Sequence, residues 1–93
     1  MEFSNIANMI EVDRYITFYE KQGENFIGEI LINEIELSDL LNLITKSKYK
    51  DDDLLYGCYL LRKEQLDKIV SMSNNKFVHD FNTYQYFLEA IAK

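Results

Sequence analysis

The sequence predicts an α+β fold in which a small antiparallel or mixed sheet packs against about three short helices. The spacing of apolar residues switches along the chain between a period of two and a helical period. Apolar residues make up 47% of the chain, with seven Tyr and six Phe, which suffices to offset the conformational entropy lost on folding. A length of 93 residues suits one hydrophobic core. We therefore expect a single domain over residues 1–93, with residues 1–11 forming an N-terminal arm or a short helix.

The first third of the chain predicts this N-terminal segment followed by a β-hairpin. Phe3, Ile6, Ala7 and Ile10 fit one helical face. The stretch "VDRYITFYE" then alternates, with Val12, Ile16 and Phe18 on one side, and "NFIGEILI" resumes the same composition. Gly23 between them can adopt a positive φ in the turn. Gly28 in the second strand indicates a bulge or a point where an aromatic ring covers the backbone.

The middle of the chain predicts two helices on either side of an inner strand. In "ELSDLLNLIT", Ser38 is a natural N-cap and Asp39 falls in the first turn, where the helix dipole favours negative charge. The stretch "LLYGCYLL" is apolar on both alternating faces, which predicts a tyrosine-bearing strand covered on both sides. "RKEQLDKIVSM" predicts the second helix, with Glu64 and Lys68 spaced to pair.

The C-terminal part predicts a short strand and a third helix. "FVHDF" has strand-like composition, and "NTYQYFLEAIAK" carries helix signals at its start. Asn82 is placed to cap, with Gln85 reaching back as in a capping box. The buried stripe of this helix would consist of Tyr84, Phe87, Leu88 and Ile91.

The charge of the chain restricts the classes of partner. Sixteen acidic and ten basic residues give a formal charge of -6, which repels nucleic acid and anionic lipid and attracts a basic partner. The chain lacks an apolar run long enough for a membrane span and a signal-peptide layout at its start. These features predict a cytoplasmic protein that binds neither nucleic acid nor a membrane directly.

The inventory of reactive residues is thin. His79 is the sole histidine, and its neighbour Asp80 would point to the opposite face of a strand. Cys58, the sole cysteine, lies among Leu, Tyr and Gly, which indicates a buried structural thiol and not a nucleophile. One His and one Cys cannot complete a structural zinc site, and the three glycines form no phosphate-binding loop. We therefore expect no enzyme activity, no cofactor and no metal.

Acidic residues next to apolar stretches are the candidates for binding a partner. Asp51, Asp52 and Asp53 precede the tyrosine-bearing strand, and they form either a solvated connection balanced by Lys46, Lys48 and Lys50 or an anionic docking patch for a basic partner. A second acidic set runs from the hairpin into the first helix, and Tyr56 adds an aromatic contact. The predicted partner-binding residues are Glu29, Glu34, Glu36, Asp39, Asp51, Asp52, Asp53 and Tyr56.

Four segments carry a resemblance to a family of small bacterial domains of uncharacterised function: "YITFYEKQGENFIGEI", "IELSDLLNLI", "DDDLLYGCYLLRKEQLDKI" and "FNTYQYFLEA". The resemblance covers about residues 15–90, and Arg62 and Lys63 stand where the family carries Thr-Pro. Such domains resemble the immunity proteins of contact-dependent growth inhibition and other polymorphic toxin systems.

This resemblance implies that the protein neutralises a cognate toxin domain by occluding its basic active-site cleft, and a nuclease is the toxin class that such a cleft suggests. The alternative is an intracellular protein-interaction or adaptor module, or a homodimeric regulatory domain. The sequence leaves the oligomeric state open.

Overall fold

A computed structural model describes residues 11–44, 51–74, 77 and 79–93. The predicted N-terminal helix or arm falls almost wholly on residues 1–10, outside this range, as do Lys46, Lys48 and Lys50. The described elements are, in chain order, β1 (Val12–Glu20), β2 (Phe26–Leu31), α1 (Leu37–Leu43), β3 (Cys58–Leu60), α2 (Lys63–Met72) and β4 (Tyr84–Ala92).

The four strands form one antiparallel sheet in the order β2-β1-β4-β3. The central pair, β1 and β4, is matched over nine residues, from Val12 opposite Ala92 to Glu20 opposite Tyr84. The chain therefore closes its sheet by placing its last strand beside its first, and β2 and β3 become the edges.

The predicted hairpin of β1 and β2 is confirmed. Gly23 has a φ of +87° in the turn, and the Glu20 N–H donates to the Asn25 carbonyl over 2.9 Å. Both interpretations of Gly28 are confirmed. The pairing register of the two strands shifts between Phe18 and Tyr19, as at a bulge. An aromatic ring also covers the backbone, since a Cβ on Gly28 would lie 3.0 Å from Cζ of Phe18. Glycine is needed there because the ring lies directly on the backbone.

The hydrophobic core lies between one face of the sheet and the two helices. Ile16 from β1 and Leu88 from β4 are buried with Leu40 of α1 and Leu66 of α2, so both helices cover the same face. The connections between elements complete this cluster by contributing the buried residues Ile32, Ile35, Ile44, Leu55 and Leu61.

The opposite face of the sheet carries neither of the two described helices, and we call it the open face. Side chains alternate between the two faces of a strand, so the cross-strand register defines its members. They are Asp13, Tyr15, Thr17, Tyr19, Phe26, Glu29, Leu31, Cys58, Leu60, Gln85, Phe87, Glu89 and Ile91.

The prediction of about three helices is wrong, because the described residues form two helices and the expected third helix is strand β4. The pattern "YQYFLEA" fits both the alternation of a strand and the spacing of a helix. The segment is a strand because it pairs with β1 and β3. Asn82 does not cap a helix. Its N–H and the Thr83 hydroxyl both donate to the Asp80 carboxylate, over 3.0 and 2.7 Å, in the turn that leads into β4.

The predicted inner strand is also wrong, since β3 has three residues and lies at an edge of the sheet. Leu55 and Leu61 in this apolar run are buried, whereas Cys58 is exposed and is not a buried structural thiol. The described residues of "FVHDF" form no strand.

The starts of the two helices differ in how well the sequence predicted them. Glu36, not Ser38, is the N-cap of α1, while Asp39 lies in the first turn as expected. At α2, the Arg62 N–H donates to Oε1 of Gln65 over 2.7 Å, which replaces the cap expected from a Thr-Pro start. Neither helix, nor any other helix in the described part of the chain, is long and apolar enough to cross a bilayer.

Candidate functional site

Residues 51–57, which we call the acidic loop, are organised around one carboxylate. Asp52 accepts hydrogen bonds from the Tyr56 N–H over 2.9 Å, from the Gly57 N–H over 2.7 Å and from the Tyr59 hydroxyl. The Leu55 N–H also donates to the Asp52 carbonyl over 2.8 Å. The loop is therefore closed on itself by the central one of its three aspartates.

Arg14 holds the acidic loop against the sheet. Its guanidinium donates to the carbonyls of Leu54 and Leu55 over 2.6 and 2.7 Å, and its backbone N–H donates to Oδ1 of Asn33 over 2.8 Å. Burial lowers the pKa of Arg14, while the charges of Tyr56 and Asp52 act in the opposite direction. The group stays cationic, because arginine does not deprotonate in proteins.

Leu55 shows how firmly the loop is fixed. It has a φ of +51°, which is uncommon for a residue other than glycine, and its side chain is buried in the core. The backbone keeps this conformation because the buried side chain and the bond from Arg14 hold it from two sides.

The pKa values of Asp52 and Tyr59 reflect their hydrogen bond. Burial acts to raise the pKa of Asp52, but the hydrogen bonds from Tyr59, Tyr56 and Gly57 and the charge of Arg14 outweigh it, so the pKa is lowered. Burial and then the bond to Asp52 raise the pKa of Tyr59 to about 12. Near neutral pH the pair is therefore a carboxylate accepting from a neutral phenol.

The other two aspartates of the loop project outward. Asp51 and Asp53 are exposed, whereas Asp52 and Tyr56 are partly buried. The arrangement therefore presents two exposed carboxylates on a loop whose shape is fixed by the third. A fixed loop can bind a partner at lower entropic cost than a flexible one.

Glu34 is structural in the described fold. It accepts hydrogen bonds from the Ser73 hydroxyl over 2.9 Å and from the Asn74 N–H over 2.8 Å, which ties the turn after β2 to the end of α2. Its own backbone N–H, then Asn74 and Ser73, lower the pKa of this carboxyl. Glu34 follows Asn33, so it lies at the end of the sheet that also holds Arg14 and the acidic loop.

The remaining predicted residues belong to other elements. Glu36 and Asp39 are exposed at the start of α1, and Glu29 is exposed on the open face of β2. The fold thus places the acidic loop and Glu34 at the end of the sheet where Arg14 lies.

Sequence reasoning missed Arg14 and Tyr59. In the alternating pattern of β1, Arg14 lies on the same face as Ile16 and Phe18. This position could have predicted a structural role for Arg14, because a cation on a core-facing position requires hydrogen-bond acceptors. Tyr59 offered no comparable signal, since its partner Asp52 is set by the loop conformation.

The reactive residues do not form a catalytic constellation in the described part of the chain. Nε2 of His79 lies 2.7 Å from Oδ1 of Asp67 and not beside Asp80, and the His79 ring packs edge-on against Phe81. Although Cys58 is an exposed residue, partial desolvation of its thiol and then the charge of Glu89 raise its pKa, which opposes thiolate formation. Among the described residues, no group of three His, Cys, Asp or Glu is placed to hold a metal.

A cleft of about 490 Å³ lies between the end of α1, β3 and the start of α2. Its lining is mainly apolar, and the ionisable side chains on it include Cys58 and Arg62. Arg62 forms an ion pair with Glu64. Among the described residues that line it, the cleft therefore places no general base beside the thiol.

Residues 13–89 match a protein family described as Domain of unknown function (DUF7683). The chain belongs to this family. The matched range begins in β1 and ends in β4, so it includes both central strands of the sheet, the acidic loop and both helices. Neither a curated protein nor a solved structure matches the chain. The family description carries no activity, and it does not link the chain to immunity proteins or toxin systems.

Proposed function

We propose that this protein is an immunity protein of the bacterial cytoplasm, which binds a cognate toxin domain and blocks the toxin's basic active-site cleft. Inhibition would be stoichiometric, with no turnover and no cofactor. A nuclease is the toxin class that suits this mechanism best, because a nuclease cleft must be cationic to bind phosphates.

The observation that carries the proposal is the preorganised acidic loop. Asp51 and Asp53 are exposed, while Asp52 is engaged with the Tyr56 and Gly57 N–H groups and the Tyr59 hydroxyl. A loop built in this way presents carboxylates to Lys or Arg side chains with a lower entropic cost of backbone ordering at binding. Charge-assisted hydrogen bonds to such side chains are stronger than neutral ones.

The charge of the whole chain acts in the same direction. A formal charge of -6 attracts a cationic cleft and repels the nucleic acid substrate that would compete for it. Tyr56 lies in the same loop and is only partly buried. The part of its side chain that remains exposed would add apolar contact area next to the carboxylates.

The direct experiment combines the purified protein with the toxin domain encoded by the adjacent gene. We expect a one-to-one complex by calorimetry and loss of the toxin's nuclease activity at equimolar ratio. Asp53→Asn should weaken the complex by about tenfold if Asp53 faces a Lys or Arg of the toxin. Glu24→Gln is the matched control: it removes the same charge from the hairpin turn at the other end of β1, and we expect a change below about twofold.

Two results would contradict the proposal. One is the absence of a complex with the adjacent gene's product. The other is equal weakening by Asp53→Asn and Glu24→Gln, which would show that net charge acts without a defined acidic surface.

A second candidate function is a homodimeric or adaptor module that binds through its strand edges. The outer edges of β2 and β3 pair with no strand among the described residues, and such edges can accept a further strand. Sedimentation velocity of the protein alone distinguishes the two functions. A stable dimer in the absence of any basic partner would favour this second candidate.

A further inference from the structure

The tip of the acidic loop is a β-turn whose two central residues are Asp53 and Leu54. The Leu55 N–H donates to the Asp52 carbonyl over 2.8 Å, which closes a four-residue turn from Asp52 to Leu55. Both central residues of this turn are exposed. The turn therefore displays a carboxylate and an aliphatic side chain next to each other.

The two consecutive leucines at this turn lie in opposite environments. Leu55 is 1% exposed and belongs to the core, whereas Leu54 is 37% exposed. Leu55 has a φ of +51°, a conformation that costs free energy in a residue other than glycine. The fold thus keeps an uncommon backbone conformation at the point where the chain passes from the exposed leucine to the buried one.

Arg14 fixes the backbone that carries Leu54. Its guanidinium donates to the Leu54 carbonyl over 2.6 Å and to the Leu55 carbonyl over 2.7 Å. The Asp52 carboxylate accepts from the Tyr56 N–H over 2.9 Å, which holds the chain just after the turn. The turn is therefore bonded to the rest of the protein through its backbone, and the side chain of Leu54 is not needed to hold it.

Exposure alone does not mark Leu54 as a site, because single apolar side chains are common on protein surfaces. Leu31 and Leu60 are also exposed, but they lie on strands of the sheet. Leu54 differs from them because it stands at a loop tip, beside the exposed Asp53, on a backbone that Arg14 holds. Loop residues that a rigid scaffold positions are disproportionately the ones that bind partners.

We propose that Leu54 is a specificity-determining contact of the acidic loop and that Arg14 is the residue that positions it. This role rests on the proposed function. The toxin surface would combine an apolar hollow that accepts Leu54 with a Lys or Arg that bonds to Asp53. Charge alone attracts any basic protein, whereas an apolar contact beside an ion pair selects a surface that presents both at the spacing of adjacent residues.

The test measures binding of the full chain to the toxin domain encoded by the adjacent gene, by surface plasmon resonance. Leu54→Ala should weaken the complex by about tenfold, mainly through faster dissociation, because the apolar contact forms only in the complex. Leu60→Ala is the matched control, since it makes the same change at a residue of β3 that is 61% exposed. We expect this control to change the affinity by less than about twofold.

Arg14→Lys tests the positioning role without a change in net charge. An ammonium group lacks the planar fork with which the guanidinium bonds to two carbonyls, so the turn should loosen and the complex weaken by about fivefold. Combined with Leu54→Ala, it should weaken the complex by clearly less than the product of the two single effects, because Arg14 acts through Leu54. Arg62→Lys, the same change at the start of α2, should alter the affinity by less than about twofold.

The outcomes separate this role from the proposed function. An intact complex that Leu54→Ala leaves unchanged, or that Leu54→Ala and Leu60→Ala weaken equally, would overturn the contact and leave the proposed function standing. Effects of Arg14→Lys and Leu54→Ala that multiply in full would overturn the positioning role of Arg14. Absence of a complex with the unmodified protein would contradict the proposed function, and the role of Leu54 with it. The single Leu54→Ala comparison remains decisive even if Arg14→Lys fails to fold.

Discussion

At the scale of single residues, Asp52 has the clearest structural role among the predicted site residues. The sequence presents three equivalent aspartates, yet the fold gives the central one three hydrogen-bond donors and leaves its neighbours exposed. The central carboxylate shapes the loop, and the outer two are available to a partner. Substitutions at Asp52 and at Asp53 should therefore affect different properties of the protein.

Asp52→Ala should lower the free energy of unfolding by about 1 to 2 kcal/mol near neutral pH, because three donors lose their acceptor. Asp53→Ala, which removes the same charge from an exposed position, should change it by less than about 0.5 kcal/mol. Urea denaturation of the two variants measures both values. Equal effects would show that Asp52 does not organise the loop.

The pKa shifts of Asp52 and Tyr59 make their contribution to folding stability depend on pH. The pKa of Asp52 is lowered on folding, so the stability that it contributes is present above the ordinary value of 3.8 and is lost as pH falls through the lower folded value. The pKa of Tyr59 is raised from 10.0 to about 12, so its contribution is present below pH 10 and is lost as pH rises through 12. Absorbance titration of phenolate should show that Tyr59 ionises late and that it ionises earlier in Asp52→Ala, whereas Tyr86, whose pKa burial also raises, should be late in both proteins.

At the scale of secondary structure elements, the C-terminal segment shows most clearly how tertiary contacts decide between a helix and a strand. Residues 84–92 carry apolar side chains at both helical and alternating spacing, and the two interpretations bury different residues. The helix would bury Leu88 and Ile91 together, whereas β4 buries Tyr86 and Leu88 and leaves Ile91 41% exposed. Pairing on both sides, with β1 and β3, stabilises the strand.

Alanine substitutions in β4 distinguish the two interpretations. Leu88→Ala should lower the free energy of unfolding by about 2 to 4 kcal/mol, since it opens a cavity beside Ile16 and the helices. Ile91→Ala should cost less than about 1 kcal/mol, because this residue is 41% exposed and does not belong to the buried core. Thermal or urea unfolding checks both, and losses of similar size would indicate that the segment packs as a helix.

At the scale of the whole molecule, the protein has two distinct outer surfaces. One is the acidic loop, which Arg14 anchors at one end of the sheet, and the other is the open face with its apolar margins. The formal charge of -6 would add long-range attraction for a cationic partner.

The net charge should govern the rate at which a toxin partner associates. Raising the salt concentration from about 0.05 M to about 0.5 M should slow association by at least about tenfold and change dissociation far less, because screening acts on separated charges. Charge reversal at Asp51 and Asp53 should reproduce this effect at low salt. Surface plasmon resonance at several salt concentrations measures both rates, and an association rate independent of salt would contradict electrostatic steering.

The sequence by itself determined the features that depend on near neighbours along the chain. These are the β1–β2 hairpin with Gly23 in its turn, helix α2, the ring over Gly28 and the acidic character of the surface. A turn residue, a helical repeat or an alternating pattern acts within a few residues, so the local sequence carries enough information to predict them.

The tertiary structure alone decided β4, the edge position of β3 and the different roles of the three aspartates. Strand β4 exists because residues 64 to 80 positions earlier offer it nine matched partners, from Glu20 opposite Tyr84 to Val12 opposite Ala92. Arg14 likewise holds a loop forty positions away along the chain. Such long-range interactions depend on which segments meet in space. A local pattern that fits both a strand and a helix does not specify those meetings.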